Sequence, residues 1–148
     1  MEKDIRVEHL LPPSNSEDMK NFLLRIDNVL TPRLSLRVDI CEYSKKLARL
    51  ADVFNAYVEG KFAGSVVIYM NSGHEGFVSS FTVFPEYQRQ GVGTKLWSEV
   101  VKDANRRGIN RISLDVYKEN HKAIKFYVAL GFELEEEIND WRRMKIIL

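Results

Sequence analysis

The chain reads as a single α/β domain, a mixed central sheet of six to seven strands flanked by about four helices. Three observations lead there. From Val53 to Phe84 apolar residues recur with a period of two, broken by two polar turns, as in an antiparallel meander. Elsewhere, four stretches repeat apolar residues at the spacing of a helix with one buried face. Lastly, a strand ending at Phe84, a helix through Leu96 and a strand through Leu114 follow in the order of a right-handed crossover, which lays its two strands side by side and parallel.

Taken in order, residues 5–7 open a short strand, and Pro12 and Pro13 turn the chain. Ser16 with Glu17, ahead of Met19, Phe22, Leu23, Ile26, Val29 and Leu30, predicts a capped amphipathic helix that stops before Pro32. Residues 31–39 are irregular and carry Arg33 and Arg37. A second helix over 41–51 sets Leu47, Leu50 and Ala51 against Lys45, Lys46 and Arg49. Strands follow at 54–58, 62–70 and 77–84, the first two joined by Glu59, Gly60 and Lys61 in a hairpin turn. Leu96, Trp97, Val100, Val101 and Ala104 define the next helix, with Arg106 and Arg107 complementing its dipole and Gly108 ending it. After a strand over 112–116, Asn120 caps a helix whose Ala123, Phe126, Tyr127 and Leu130 share a face, and Gly131 stops it. A hairpin of 132–138 and 141–147 closes the chain.

At 148 residues and 45% apolar, the chain can bury one core and is short for two. Its 22 basic and 21 acidic side chains leave a net charge of +1, which argues against general affinity for nucleic acid or membranes. A lone Cys41 excludes an intramolecular disulfide and a cysteine-based metal site; its expected role is that of a small buried hydrophobe in a reducing compartment. The longest apolar runs, such as 66–70, are too short to span a bilayer, and Glu2, Lys3 and Asp4 stand where a signal peptide would be apolar. The expectation is a cytoplasmic protein.

The organising stretch is 81–94, where a strand passes through a polar turn into a helix. Pro85 ends strand pairing, and Gly91 and Gly93 fall at the helix start. Glycine there permits positive φ and close approach of a ligand to the main chain. The unpaired N–H groups and dipole of the helix start suit a pyrophosphate, with Arg89 adding a charge. Two familiar phosphate loops are excluded. Thr94 precedes Lys95, the reverse of a P-loop, and Leu96 stands where a dinucleotide fingerprint needs its third glycine.

A second motif, Asn120-His-Lys-Ala-Ile-Lys-Phe-Tyr-Val-Ala-Leu-Gly-Phe132, joins Gln88-Arg-Gln-Gly-Val-Gly93 in this order of elements. With both in place, the chain from about Val53 onward resembles the GCN5-related N-acetyltransferase (GNAT) family. The resemblance implies an acetyl-CoA-dependent N-acetyltransferase without a metal, acting on a primary amine by direct attack. Phe81, Thr82 and Val83 match the strand whose backbone bonds the pantetheine arm. Gln88, Arg89, Gln90, Gly91, Val92, Gly93 and Thr94 match the pyrophosphate loop, and Asn120 a residue contacting the arm. Tyr127 matches the tyrosine near the thioester sulfur, the expected proton donor to the leaving thiolate, with the backbone N–H of Val83 as oxyanion donor. A homodimer formed through the C-terminal strands is also in keeping with the resemblance.

The proton acceptor stays open among Glu75, Asp115, Glu119, His74, His121 and a water chain. Glu86 lies on the cofactor side of the loop, where a neighbouring phosphate disfavours that role. Such proteins wall the acceptor site with their N-terminal helices. Arg33 and Arg37 therefore either favour an anionic acceptor, such as an amino sugar phosphate or an amino acid, or decorate a solvated loop. The competing function is an inactive acyl-CoA-binding sensor or interaction module.

Overall fold

The computed structural model describes residues 4–30 and 32–148. Its strands are β1 (Ile5–Leu10), β2 (Asp52–Val58), β3 (Lys61–Ser72), β4 (Glu75–Val83), β5 (Arg111–Tyr117), β6 (Glu133–Ile138) and β7 (Trp141–Ile147). They form one sheet in the order β1-β2-β3-β4-β5-β7-β6. Every neighbouring pair is antiparallel except β4 and β5, which are parallel as the crossover order predicts. The helices are α1 (Ser16–Asp27), α2 (Ile40–Leu50), α3 (Val92–Arg106) and α4 (His121–Leu130).

Alternation along the strands divides the core between two faces. Phe54, Val66, Ile68, Ile112 and Leu114 pack with Leu96, Trp97 and Val100 of α3. Val53, Val67 and Phe84 pack with Met19, Leu23 and Ile26 of α1 and Leu47 and Ala48 of α2. Because both faces of β3 are covered, Ala63 to Ile68 is buried without alternation.

The sheet is forked. Strands β4 and β5 pair only from Glu75 opposite Arg111 to Val78 opposite Leu114, then diverge while each stays paired on its outer side. At that point β4 bulges: Ile68 faces Val78 and Val67 faces Ser80, leaving Ser79 as the extra residue. A bulge bends its strand and raises the local twist, which suits the place where β4 must leave its neighbour. The hydroxyls of Tyr43 in α2 and Ser79 are hydrogen-bonded, tying that bend to the α1–α2 layer.

Several boundaries differ from the sequence reading. Asn15, not Ser16, caps α1 by accepting from the Asp18 N–H at 2.9 Å. The helix ends at Asp27, and Val29 is 58% exposed. Its last carboxylate draws the chain away by accepting from the Ser35 N–H at 2.7 Å, the Ser35 hydroxyl at 2.8 Å and Arg33 at 3.1 Å. Within 31–39, Leu34–Leu36 forms a 3₁₀ turn, and Thr31 lies outside the described residues. The buried stripe of α2 passes through Ser44, Leu47 and Ala48, so Leu50 is half-buried. Cys41, expected inside, is exposed in the first turn of α2, beyond the buried end of that stripe. Among the described residues, no helix is long and apolar enough to cross a membrane.

Candidate active site

The turn between β4 and α3 is shaped for an anion. A short 3₁₀ turn, Pro85–Tyr87, follows the strand, and Gly91 begins α3 at φ +84°, in the left-handed region that glycine occupies without a Cβ penalty. No side chain caps α3, and no acidic residue lies in its first turn. Among the described residues, the amides of Gly91, Val92, Gly93 and Thr94 have no hydrogen-bond acceptor in the chain. Arg89, exposed and at φ +63°, has no carboxylate partner among them either. Donors, dipole and charge thus converge on one spot.

Gly93 has a different reason from Gly91. A Cβ there would lie 2.8 Å from the Phe126 ring, so its hydrogen lets α4 press against the first turn of α3. Gln88 also works within the fold: its amide nitrogen donates to the Val83 carbonyl at 3.0 Å and its oxygen accepts from Lys122 at 2.5 Å. Gln90 donates to the Glu86 carbonyl at 3.1 Å. Lys122 is a cation beside the loop that the sequence reading missed. Its place in the second motif offers no periodicity or turn signal to reveal it.

From this turn the fork leads inward. The Phe84 N–H donates to the Ala63 carbonyl at 2.9 Å, and Val83 stands opposite Gly64. By the two-residue alternation of an antiparallel ladder, the N–H and C=O of Phe81 and Val83 therefore point away from β3, towards the gap. The gap opens into a cleft of about 380 Å³ lined by Ser79, Ser80, Phe81, Thr82, Asp115, Glu119, Asn120 and Tyr127 from the fork and α4, with Leu30, Arg37, Tyr43 and Trp141 opposite.

Tyr127 is half-buried, packed among Phe81, Phe126 and Phe132 with ring centroids 5.7 to 6.0 Å away. Desolvation pushes its phenol well above the usual tyrosine range. Asn120 caps α4, its side-chain oxygen accepting from the Ala123 N–H at 3.3 Å. Its side-chain NH₂ makes no bond to the described residues.

The sequence candidates for a base separate cleanly. His74 and Glu75 sit at the paired end of β4, His74 against the Gly108 carbonyl at 2.9 Å and Glu75 opposite Arg111. Four residues of strand, about 13 Å, separate Glu75 from the bulge at Ser79. Asp115 and Glu119 line the cleft instead. Both oxygens of Asp115 are engaged by Arg143, at 2.8 and 2.9 Å, while Glu119 faces only His121, at 3.6 Å. His121 itself is exposed.

A second cluster of titratable groups lies at the other end of α3. Asp52 and Asp103, both buried, accept from Arg107 at 2.7 and 3.0 Å, and Asp52 contacts His9 at 2.6 Å. Oxygen and nitrogen atoms of His9, Asp52 and Asp103 come within 4.8 Å of one another. Arg107 supplies the positive charge there, and its second nitrogen donates to the Met70 carbonyl at 2.9 Å. Burial disfavours the guanidinium's charge, but the hydrogen bonds and attraction of the two aspartates outweigh it and hold the pKa above the ordinary arginine value. The arrangement is an ion-pair network.

The chain thus combines a forked mixed sheet with an open helix start at its mouth. The model of the acetyltransferase (GNAT) family matches residues 17–132, and the chain belongs to that family. Among solved structures, the PaiA N-acetyltransferase of Thermoplasma acidophilum, in complex with coenzyme A, superposes with a TM-score of 0.77 at 16% identity, over 98% of this chain and 99% of that one. The ribosomal protein bS18-alanine N-acetyltransferase of Escherichia coli gives a TM-score of 0.75 at 19% identity, over 97% and 94%. In sequence, the latter is 36% identical over 58 residues, 39% of each chain. An uncharacterized N-acetyltransferase of Methanocaldococcus jannaschii is 39% identical over 71 residues, 48% of this chain. These matches span 39% and 29% of the two relatives' lengths.

Proposed function

We propose that the protein is an acetyl-CoA-dependent N-acetyltransferase that acetylates the primary amine of a small molecule in a ternary complex. The carrying observation is the fork: its mouth has open amides and Arg89, its walls have main-chain groups aimed inward, and Tyr127 lies at its inner end. Those residues fit acetyl-CoA. The amides of Gly91 to Thr94 hold the diphosphate, the Phe81 backbone pairs with a pantetheine amide, and the Asn120 NH₂ reaches the arm. The side chains of Gln88 and Gln90 brace the loop from within through the Val83 and Glu86 carbonyls. A cleft of about 380 Å³ is in the range of small-molecule sites.

Acetyl-CoA supplies an activated acetyl carbon and a sulfur leaving group. The Val83 N–H stabilises the charge that builds on the carbonyl oxygen as the amine attacks. Tyr127 gives its phenolic proton to the departing sulfur and regains one from the nitrogen that has taken the acetyl group. Glu119, whose one ion-pair neighbour among the described residues is His121 at 3.6 Å, takes the proton of the incoming ammonium through water, whereas Asp115 is committed to Arg143.

Thiol release from acetyl-CoA across a panel of amines tests this reading. Tyr127→Phe is expected to lower kcat roughly a hundredfold or more with little change in the KM for acetyl-CoA. Full activity in that variant would remove the phenol from the mechanism. No turnover with any amine, alongside tight acetyl-CoA binding, would favour a binding module.

A further inference from the structure

Resting on the acetyltransferase reading, the geometry points to an acceptor that carries an oxyanion close to its amine, held by Arg37 on the face of Trp141. Arg33 and Arg37 looked equivalent in the sequence, yet the fold gives them different work. Arg33 is bound to Asp27 at 3.1 Å, in the network that ends α1. Arg37 lines the cleft and has no carboxylate within salt-bridge distance among the described residues. Its guanidinium lies 4.8 Å from the Trp141 ring centroid, and Trp141 meets Tyr117 edge-on at 5.8 Å. Stacking on an aromatic face fixes the plane of a guanidinium and leaves its in-plane N–H fork free, which is the geometry for two parallel bonds to a carboxylate or phosphate.

The rest of the cleft suits the other end of such an acceptor. Glu119, with only His121 near it at 3.6 Å, offers a carboxylate to the ammonium, and Asp115 is neutralised by Arg143, so Arg37 and Glu119 give the cleft one charge of each sign. A zwitterion matches that pair. A plain alkylamine would leave Arg37 to water, and a peptide N-terminus presents an amide where an anion would complete the guanidinium fork.

The experiment compares, at saturating acetyl-CoA, L-amino acids with their α-carboxamides, 1-aminoalkylphosphonates and an alanine-initiated hexapeptide. Carboxylates or phosphonates are expected to exceed the carboxamides in kcat/KM by roughly tenfold to a hundredfold, the range for a hydrogen bond to a charged group. The two acids against each other identify the oxyanion. In Arg37→Met this ratio should collapse towards one through KM, while in Arg33→Met it should persist. Carboxamides or the hexapeptide equalling the acids, or Arg37→Met lowering all acceptors alike, would overturn the proposal. Binding of N-acetyl amino acids and their amides in the presence of CoA, followed by Trp141 fluorescence with Trp141→Phe as the blank, gives a readout independent of turnover. A preference for the acid there without any turnover would count against the transferase reading and leave the oxyanion site standing; no preference would sink the oxyanion site.

Discussion

The two ends of α3 are built on opposite principles. At the C-terminal end, Asp52, Asp103, Arg107 and His9, with Arg106 at the surface, pair with one another in one network that leaves only Asp52 Oδ1 without a partner among the described residues. At the N-terminal end the first-turn amides and Arg89 are left without partners. Unmade hydrogen bonds cost stability unless solvent or a ligand completes them, so the open end is tolerable only where water reaches it and useful only where an anion arrives. One helix thus joins a part that stabilises the fold to a part that the fold leaves incomplete.

Breaking the closed end should have the largest effect. Arg107→Met strands Asp52 and Asp103 without their main counter-charge, and about 3–5 kcal/mol of stability should be lost, since removing one partner of a buried pair exposes the full desolvation cost of the other. Urea denaturation measures it. Coenzyme A affinity of the folded fraction should stay within about twofold if the ends are independent. Loss of affinity in step with stability would contradict the separation.

At the open end the expected change is smaller and of the other kind. Gly93→Val pushes a branched side chain into the Phe126 ring and should cost about 1–3 kcal/mol, with weaker coenzyme A binding by calorimetry. The double variant with Phe126→Ala should recover part of the stability, because the clash is with the far end of that ring. A Gly93→Val protein as stable as wild type would mean that α4 does not lean on α3 as described.

The same contrast recurs in miniature between α1 and α2, where Asp27 is closed upon Ser35 and Arg33 while Arg37 stays open. The Ser35 backbone N–H, ahead of its hydroxyl and Arg33, holds the Asp27 carboxyl below the usual aspartate range despite its burial. Its stabilisation is present above the unfolded pKa of about 4 and is lost as pH falls through the lower folded value. Asp27→Asn should therefore lose stability at neutral pH and show a shallower acid limb in thermal unfolding below about pH 4. An acid limb identical to wild type would show that the carboxylate does not contribute.

Element order and the parallel pair were legible because they rest on periodicity and on the handedness of crossovers, which neighbouring residues carry. The glycine turn was legible for the same reason: Gly91 and Gly93 sit beside a proline and a helical stripe. What escaped depends on partners distant in the chain. Asp27 ends α1 because Ser35 and Arg33 return to it, and Lys122 becomes a loop cation only after α4 packs beside Gln88. Arg37 and Arg33 have equal standing in the sequence, and only the fold separates them, by bringing Trp141 to Arg37 and Asp27 to Arg33. Cys41 was misjudged on residue type, since a cysteine's tendency to be buried does not specify which helix turn it occupies.

Phe126 and Tyr127 are consecutive, and the first abuts Gly93 where the amides open while the second faces the cleft. A single peptide unit therefore joins the side chain that packs against the open helix start to the one that lines the cleft. Substituting Phe126 is expected to disturb both places together.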